Sequence, residues 1–332
     1  MYTDVSLWLA IIFVLAGLYT LAKSADVFVE GSAALAERFC VPPFIIGMVI
    51  IGFGTSLPEA CVSALSAFSG HSALSFGNAF GSCIFNILAI LGVVAFIVPI
   101  VISKNVMRFG VPMLLAITVL EFLLVKLGGG FSRIDGIISL IAFGLLLPLY
   151  CIKEKADQKS CPITPEESKM KNASMVKLCS MTVAGLVLLV ASSHFLVWGC
   201  VDIAKSLHVS ELMIGLTVVA VGTSLPELAS AIAAARKKEH ELVVGNIIGS
   251  NLFNTLAVVG LAGTISPFKD LSKFALYRDL PVSFLSVIVL AICGYNWCNR
   301  KEDGKIGIKG GIFMILLFVM YVAVMFCQEI HT

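Results

Sequence analysis

Charge is what this sequence has least of. Only 13% of its 332 residues are Asp, Glu, Lys or Arg, about half the roughly 25% of an ordinary soluble domain. A soluble chain of this length needs more charge to cover its surface, so the composition excludes a water-soluble globule and implies a membrane protein. The net charge is +2, and the charges sit in short segments between apolar runs. There is no basic face and no nucleic-acid signature, so nucleic acid is not a partner. The ten cysteines form no C-x-x-C pair. Most lie in apolar runs, where a thiol acts as a small hydrophobe, and all are read as packing, not as a disulfide frame or a zinc site. The first apolar run follows "MYTDVS" with no basic residue before it. A cleaved signal peptide is therefore not expected, and the run reads as a membrane helix.

What the sequence has instead is long apolar stretches. A bilayer-crossing helix needs about 20 such residues, and ten candidates appear: 5–34, 41–69, 73–99, 106–126, 132–152, 176–206, 210–236, 242–267, 279–298 and 307–327. The expected fold is an all-α polytopic membrane protein. Gly, Pro, Ser and Asn recur inside the second, third, seventh and eighth spans, where breaks are expected. Residues 153–175 form the one sizeable polar loop, and Thr164 to Glu167 in it read as a helix start. The chain thus divides into 1–152, a linker at 153–175, and 176–332. Cationic residues gather on the cytoplasmic side of membrane proteins. With the linker cytoplasmic, that side holds sixteen Lys and Arg (Arg38, Lys104, Arg108, five in the linker, Lys177, Arg236, Lys237, Lys238, Arg300, Lys301, Lys305 and Lys309). The other side holds six, which places both termini outside.

The hexapeptide GTSLPE occurs at 54–59 and again at 222–227, inside two of the abnormal spans. The 168-residue offset aligns more than the hexapeptide. Residues 47–60 match 215–228 at seven of fourteen positions, and 76–92 match 244–260 at nine of seventeen. This is an internal duplication. Each half holds five spans, and an odd number turns the second half upside down. Inverted repeats of this kind build secondary transporters with a midplane site. The bland alternative is a duplicated bundle without transport, but the repeat preserves polar residues where a structural bundle would preserve apolar ones.

The hexapeptide carries the chemistry. Pro58 and Pro226 lack an N–H and crowd the carbonyls of Gly54 and Gly222, so each should break its helix. Broken backbone at membrane depth must be buried in protein or line a wet cavity. Thr55, Ser56, Thr223 and Ser224 add hydroxyls there. Glu59 and Glu227 have no Lys or Arg nearby in their spans. A carboxylate at the bilayer centre costs at least ~2.5 kcal/mol, so a proton or a metal cation is needed to offset it. Carboxylates, carbonyls and hydroxyls form a hard-oxygen set suited to Ca²⁺, Na⁺ or Mg²⁺. Two carboxylates neutralise one divalent ion or two monovalent ones, which is the charge logic of an antiporter; permanently protonated structural glutamates are the alternative. Asn78, Ser82 and Asn86 lie four apart on one helix face, as do Asn246, Ser250 and Asn254. These oxygens can complete a cation cage or form interhelical hydrogen bonds, the latter chiefly for Asn78 and Asn246. Gly77, Gly81, Gly245 and Gly249 should let backbones approach beside that stripe. Glu121 reads as interfacial beside Lys126, His194 as a core hydrogen bonder, and Asp202 with Lys205 as a pair near a helix end.

Two copies of GTSLPE, each followed by GNxxGSxxFN, resemble the sodium/calcium exchanger arm of the cation/calcium antiporter superfamily, most nearly its compact ten-helix bacterial inner-membrane members. The resemblance spans essentially the whole chain. It implies Ca²⁺ moving against Na⁺ without a cofactor, and no protein partner. It also implies Ca²⁺ ligands at Glu59, Glu227, Thr55 and Thr223, and Na⁺ sites using Ser56, Ser224, Ser82, Ser250, Asn86 and Asn254. The backbone carbonyls of Gly52 and Ala220 contribute, and the first and sixth helices slide across the rest. Some relatives carry aspartate at the position of Asn254; asparagine argues against potassium co-transport. The calcium-sensing insert of animal exchangers is replaced by the short linker. An H⁺-coupled cation antiporter is the nearest alternative, although the many neutral oxygens suit Na⁺. A channel would assemble ligand rings from symmetric subunits. An intramembrane hydrolase would need a Lys or His base beside Ser56 or Ser224, and neither span has one.

Overall fold

In lipid, each backbone N–H and C=O of a spanning segment has to find its partner within the protein, which makes long apolar runs helical. The structure, a computed structural model, describes residues 7–70, 72–157, 170, 173–206, 220–267, 275–295 and 303–330. Helix α1 is Leu7–Arg38. A bent pair follows: α2 spans Pro43–Thr55 and α3 Leu57–Phe68, with an angle of 45° between them. Helix α4 runs through Ser72–Ile84, a π-helical stretch Phe85–Ile90, and Leu91–Ile97. Helix α5 opens with the π-helical Val106–Gly110 and continues as Val111–Gly128. Helix α6 is Arg133–Asp157.

The second half repeats this order. Helix α7 is Met175–Ser206, α8 is Ala220–Thr223 and α9 is Leu225–Arg236. Helix α10 joins His240–Leu252, the π-helical Phe253–Val258 and Val259–Ile265. Helix α11 joins the π-helical Ala275–Asp279 to Leu280–Gly294, and α12 is Ile308–Ile330. The 168-residue offset found in the motifs also relates α1 to α7, α3 to α9, and every part of α4 to α10. Among the described residues, eight single helices are long and apolar enough to cross a membrane, and the α2–α3 pair makes a ninth. The seventh expected span is described only from Ala220, since 207–219 lie outside the described residues. Most of the linker lies outside them too, including the helix start expected at Thr164 to Glu167, but α6 continues to Asp157 and so takes the linker's first five residues.

Burial sorts the helices into centre and rim. The most apolar windows of α10 and α4 are 89% and 72% buried, against 11% for α12. Leu15, Ile134, Leu145, Val187 and Leu316 stand exposed, as side chains facing acyl chains would. Helices α1 and α7 pack on each other along their length, where a Cβ at Gly185 would stand 2.7 Å from the Phe28 backbone. A second close seam joins α2 to α10: a Cβ at Gly52 would stand 2.8 Å from Ser250 N, and one at Gly249 would overlap the Met48 carbonyl. Gly77 and Gly81 show no such approach among the described residues.

Two corrections concern the all-α expectation and the cysteines. Ile100–Ile102 pairs antiparallel with Gly304–Ile306, with Ile100 opposite Ile306. Pro99 cannot continue α4, Val98 is already extended at φ −138°, and β-branched Ile-Val-Ile favours a strand whose partner satisfies its backbone. Asp303 Oδ1 accepts from Lys104 N at 2.9 Å beside it. Seven described cysteines are free, but Cys40 is disulfide-bonded.

Candidate functional site

The two copies of GTSLPE form two helix breaks. Ser56 leaves helical geometry (φ −86°, ψ 7°) between α2 and α3, and Ser224 does the same (φ −94°, ψ 9°) between α8 and α9. Pro58 and Pro226 then occupy the first turn of α3 and α9, where a missing N–H goes unmissed. Of the two carbonyls crowded by proline, that of Gly222 accepts from Ser193 Oγ of α7 at 2.8 Å. Each break puts its glutamate at the start of a helix, buried to 0% exposure for Glu59 and 1% for Glu227. Both carboxyls thus point into the protein and away from the lipid.

The hydrogen bonds cross between the halves. Ser56 Oγ donates to Glu227 Oε1 at 2.8 Å, and Ser224 Oγ donates to Glu59 Oε1 at 3.1 Å. Thr55 and Thr223 follow the same crossing, with Thr55 beside Glu227 and Thr223 beside Glu59. Thr55 Oγ1 also donates to Ile51 O at 2.9 Å and approaches Asn246 Oδ1 at 3.5 Å. These crossed bonds bring the two carboxyls into one buried region.

The neighbouring helices add further oxygens. Ser250 Oγ donates to Gly52 O at 3.1 Å, so that carbonyl faces the site. Ser82 Oγ meets Ser224 Oγ at 3.5 Å. Ala220 opens α8, with the preceding residues outside those described. Asn86 and Asn254 sit at the α-to-π transitions of α4 and α10, each 0% exposed. Such π-turns are frequent at functional sites. Neither amide has a hydrogen-bond partner, and neither do Glu59 Oε2 and Glu227 Oε2. A buried polar atom left unpaired costs about 1–3 kcal/mol. Six such atoms, two from each asparagine and one from each glutamate, repeat at equivalent positions of the two halves. Four of the six are oxygens (Glu59 Oε2, Glu227 Oε2, Asn86 Oδ1 and Asn254 Oδ1), and hard-oxygen acceptors of this kind fit a cation as the missing partner.

Asn78 and Asn246 take the other role open to them. Asn78 Nδ2 donates to Glu59 O at 3.2 Å and Ser63 Oγ at 3.0 Å. Asn246 Nδ2 donates to Glu227 O at 3.3 Å and Ser230 Oγ at 3.2 Å. They clamp α4 to α3 and α10 to α9 behind the glutamates. Ser63 and Ser230 were not visible in the repeat, because the 168-residue offset sets them opposite Ala231 and Val62. Cys83 is a further neighbour that a packing role does not exhaust. It lies near Glu59, and its Sγ is 3.5 Å from Thr255 Oγ1 and 3.8 Å from Asn251 O across the interface.

Four other polar residues depart from expectation or from description. Glu121 is not interfacial; it is 0% exposed and accepts from Ser139 Oγ at 2.6 Å. Lys126 is five residues away, about 140° round the helix, and faces elsewhere. His194 makes no core hydrogen bond, because it lies on the exposed face of α7. The expected Asp202–Lys205 pair cannot be placed, because the Lys205 side chain falls outside those described.

The profile of the family described as "Sodium/calcium exchanger protein" matches residues 9–150 and 177–327. Putative antiporter CaxA of Alkalimonas amylolytica is 35% identical over 319 residues, covering 96% of this chain and 98% of that protein. Inner membrane protein YrbG of Escherichia coli (strain K12) is 35% identical over 319 residues, covering 94% and 97%. A solved structure of the sodium-calcium exchanger NCX_Mj superposes with a TM-score of 0.82 at 30% identity, covering 96% of this chain and 99% of that one.

Proposed function

The chain belongs to the sodium/calcium exchanger protein family, and on that premise we propose that it exchanges Na⁺ for Ca²⁺ at a single cage built around Glu59 and Glu227. The protein is an integral membrane antiporter of exchanger type. In the proposed reading its ten transmembrane helices form two inverted five-helix halves, 1–152 and 176–332. The linker at 153–175 is cytoplasmic and both termini lie outside. YrbG's name places that relative in the inner membrane, and the same location is proposed here.

One observation carries the reading: four buried, unpartnered side-chain oxygens from Glu59, Glu227, Asn86 and Asn254, beside carboxyls that each take a serine hydroxyl from the other half. One Ca²⁺ between the glutamates neutralises both carboxylates. Na⁺ ions spread over the same carboxylates and the oxygens of Thr55, Thr223, Ser56, Ser224, Ser82, Ser250, Asn86, Asn254, Gly52 and Ala220 do likewise. The two loads share oxygens, so each excludes the other. An emptied cage would leave two carboxylates facing one another in low dielectric, so crossing is favoured only when it is loaded. The helix breaks at Pro58 and Pro226 supply the non-helical backbone that such sites need. The mutually packed α1 and α7, which touch both bent pairs, are the proposed moving pair.

The test uses proteoliposomes loaded with Na⁺ and radioactive calcium outside. Uptake driven by the outward Na⁺ gradient supports the proposal. Uptake that ignores Na⁺ and follows a pH gradient instead selects an H⁺-coupled antiporter.

A further inference from the structure

Glu121 lies on α5, outside the set of residues around Glu59 and Glu227, and is 0% exposed. It sits about 7.5 Å along the helix from Lys126, well inside its span. Its Oε1 accepts the 2.6 Å bond from Ser139 Oγ of α6. Its Oε2 is buried with no hydrogen-bond partner. Among the described residues no cationic side chain pairs with it. The described cations near that end of the bundle are turned elsewhere. Lys126 rests over the Phe122 ring at 5.4 Å, Arg133 reaches Ile265 O at 3.5 Å, and Arg278 binds Asp279 at 2.7 Å and Gln328 at 3.0 Å. Helix α10, which packs on α5, has its ionisable groups at its far end, His240 and Glu241. From α6 the acid whose field reaches Glu121 is Asp135.

A carboxylate buried this completely without a counter-charge is costly, so Glu121 needs a bound cation. A metal ion wants about six or more oxygens, and the hydrogen-bonded pair offers three: two of the carboxyl and Ser139 Oγ. A proton needs one. We propose that Glu121 is a second ion-binding site in this protein, one that holds an exchangeable proton separate from the transported cations. The proton sits on Oε2, because Oε1 is occupied by the serine hydroxyl. One helical turn before Ser139, Asp135 is half-exposed at the start of α6, where its carboxylate accepts from Ser132 N at 2.7 Å. Loss of the proton leaves a carboxylate in the seam between α5 and α6. The π-helical stretch Phe253–Val258, which carries Asn254, packs on both of those helices. The charge state of Glu121 is therefore transmitted to one wall of the cage, and only in the first half. With Val106–Gly110 aligned on Ala275–Asp279, the counterpart of Glu121 is Leu290.

Infrared spectra of the full-length protein in lipid vesicles, recorded against pH, test this directly. Wild type should show a protonated-carboxyl band that disappears as pH rises. Glu121→Gln should lack that band, and Glu59→Gln and Glu227→Gln should keep it. Ser139→Ala retains the carboxyl and loses its donor, and should displace the midpoint by about one pH unit. In exchange assays at saturating cation, where proton competition inside the cage is overcome, any remaining pH dependence should flatten to within twofold in Glu121→Gln. A band that is equal in wild type and Glu121→Gln, or one that persists at every pH at which the protein stays folded, overturns the site. A pH profile in Glu121→Gln identical to wild type overturns its link to exchange.

Discussion

Glu227→Gln changes the charge of the proposed cage and little else. Glu227 Oε1 accepts from Ser56 at 2.8 Å, and the carbonyl oxygen of glutamine can keep that bond. The new NH₂ replaces Oε2, the atom with no partner. The variant therefore retains its shape and its cross-half contact while losing one of two negative charges. Removing one partner of a buried, mutually compensating charge set costs about 3–5 kcal/mol. At about 1.4 kcal/mol per decade, Ca²⁺ affinity should fall by roughly two to four decades. The assay is Na⁺-driven ⁴⁵Ca²⁺ uptake into proteoliposomes, with Ca²⁺ well below half-saturation, and thermal unfolding serves as the control for folding. Uptake by a folded Glu227→Gln protein within tenfold of wild type would refute the two-carboxylate cage.

Three further outcomes follow from the same geometry. Ser56→Ala removes the hydroxyl bonded to Glu227, and a hydrogen bond to a charged group contributes about 1.5–3 kcal/mol. Ca²⁺ should bind about ten- to a hundredfold more weakly in a flux titration, and combining Ser56→Ala with Glu227→Gln should give less than the sum of the two losses. Gly249→Ala drives a methyl into the Met48 carbonyl where α2 and α10 meet; overpacking of this kind costs about 1–3 kcal/mol, read as a lower melting temperature in detergent. Glu239 lies in the turn before α10, where burial, then the charges of Glu37 and Glu241, push its carboxyl above the ordinary range against the opposing pull of Lys237. Below about pH 4 the folded and unfolded chains both hold that proton and Glu239→Gln should be neutral, whereas at higher pH the unfolded chain ionises more readily, so the variant should gain stability over wild type as pH rises through the carboxylate range.

The sequence located helices well because apolar length is a strong signal and the bilayer leaves few options. The expected spans 176–206 and 106–126 differ by a residue or two from Met175–Ser206 and from the end of Val111–Gly128. Proline chemistry located the breaks at Ser56 and Ser224. What a one-dimensional reading missed depends on direction. Glu121 was assigned to Lys126 by proximity in the chain, but a five-residue spacing points the two side chains apart. Asn78 and Asn246 were legible as polar, but their partners Ser63 and Ser230 are not at equivalent repeat positions. The crossing of serines and glutamates between halves has no counterpart in spacing at all, since it arises from how the two breaks face each other. The π-helical turns at Phe85 and Phe253 were likewise unforeseen. They add a residue to a turn without any proline or glycine to announce it.

The crossed bonds explain why the hexapeptide has to occur twice. A single copy supplies a glutamate and a serine three residues apart, on either side of its own break, yet each serine satisfies the other copy's carboxyl. Neither half contains the whole of the proposed cage. Each carboxyl then retains one unpartnered oxygen, and in the proposed cage the asparagines at the two π-turns contribute their amide oxygens from α4 and α10. The proposed ion is thus the shared partner of both halves. In this reading a charge-matched load holds the halves together at the midplane, and an unloaded cage pushes two carboxylates apart in a low dielectric. A single set of oxygens that must be filled before the halves rearrange is sufficient to make the movement of one ion depend on the return of the other.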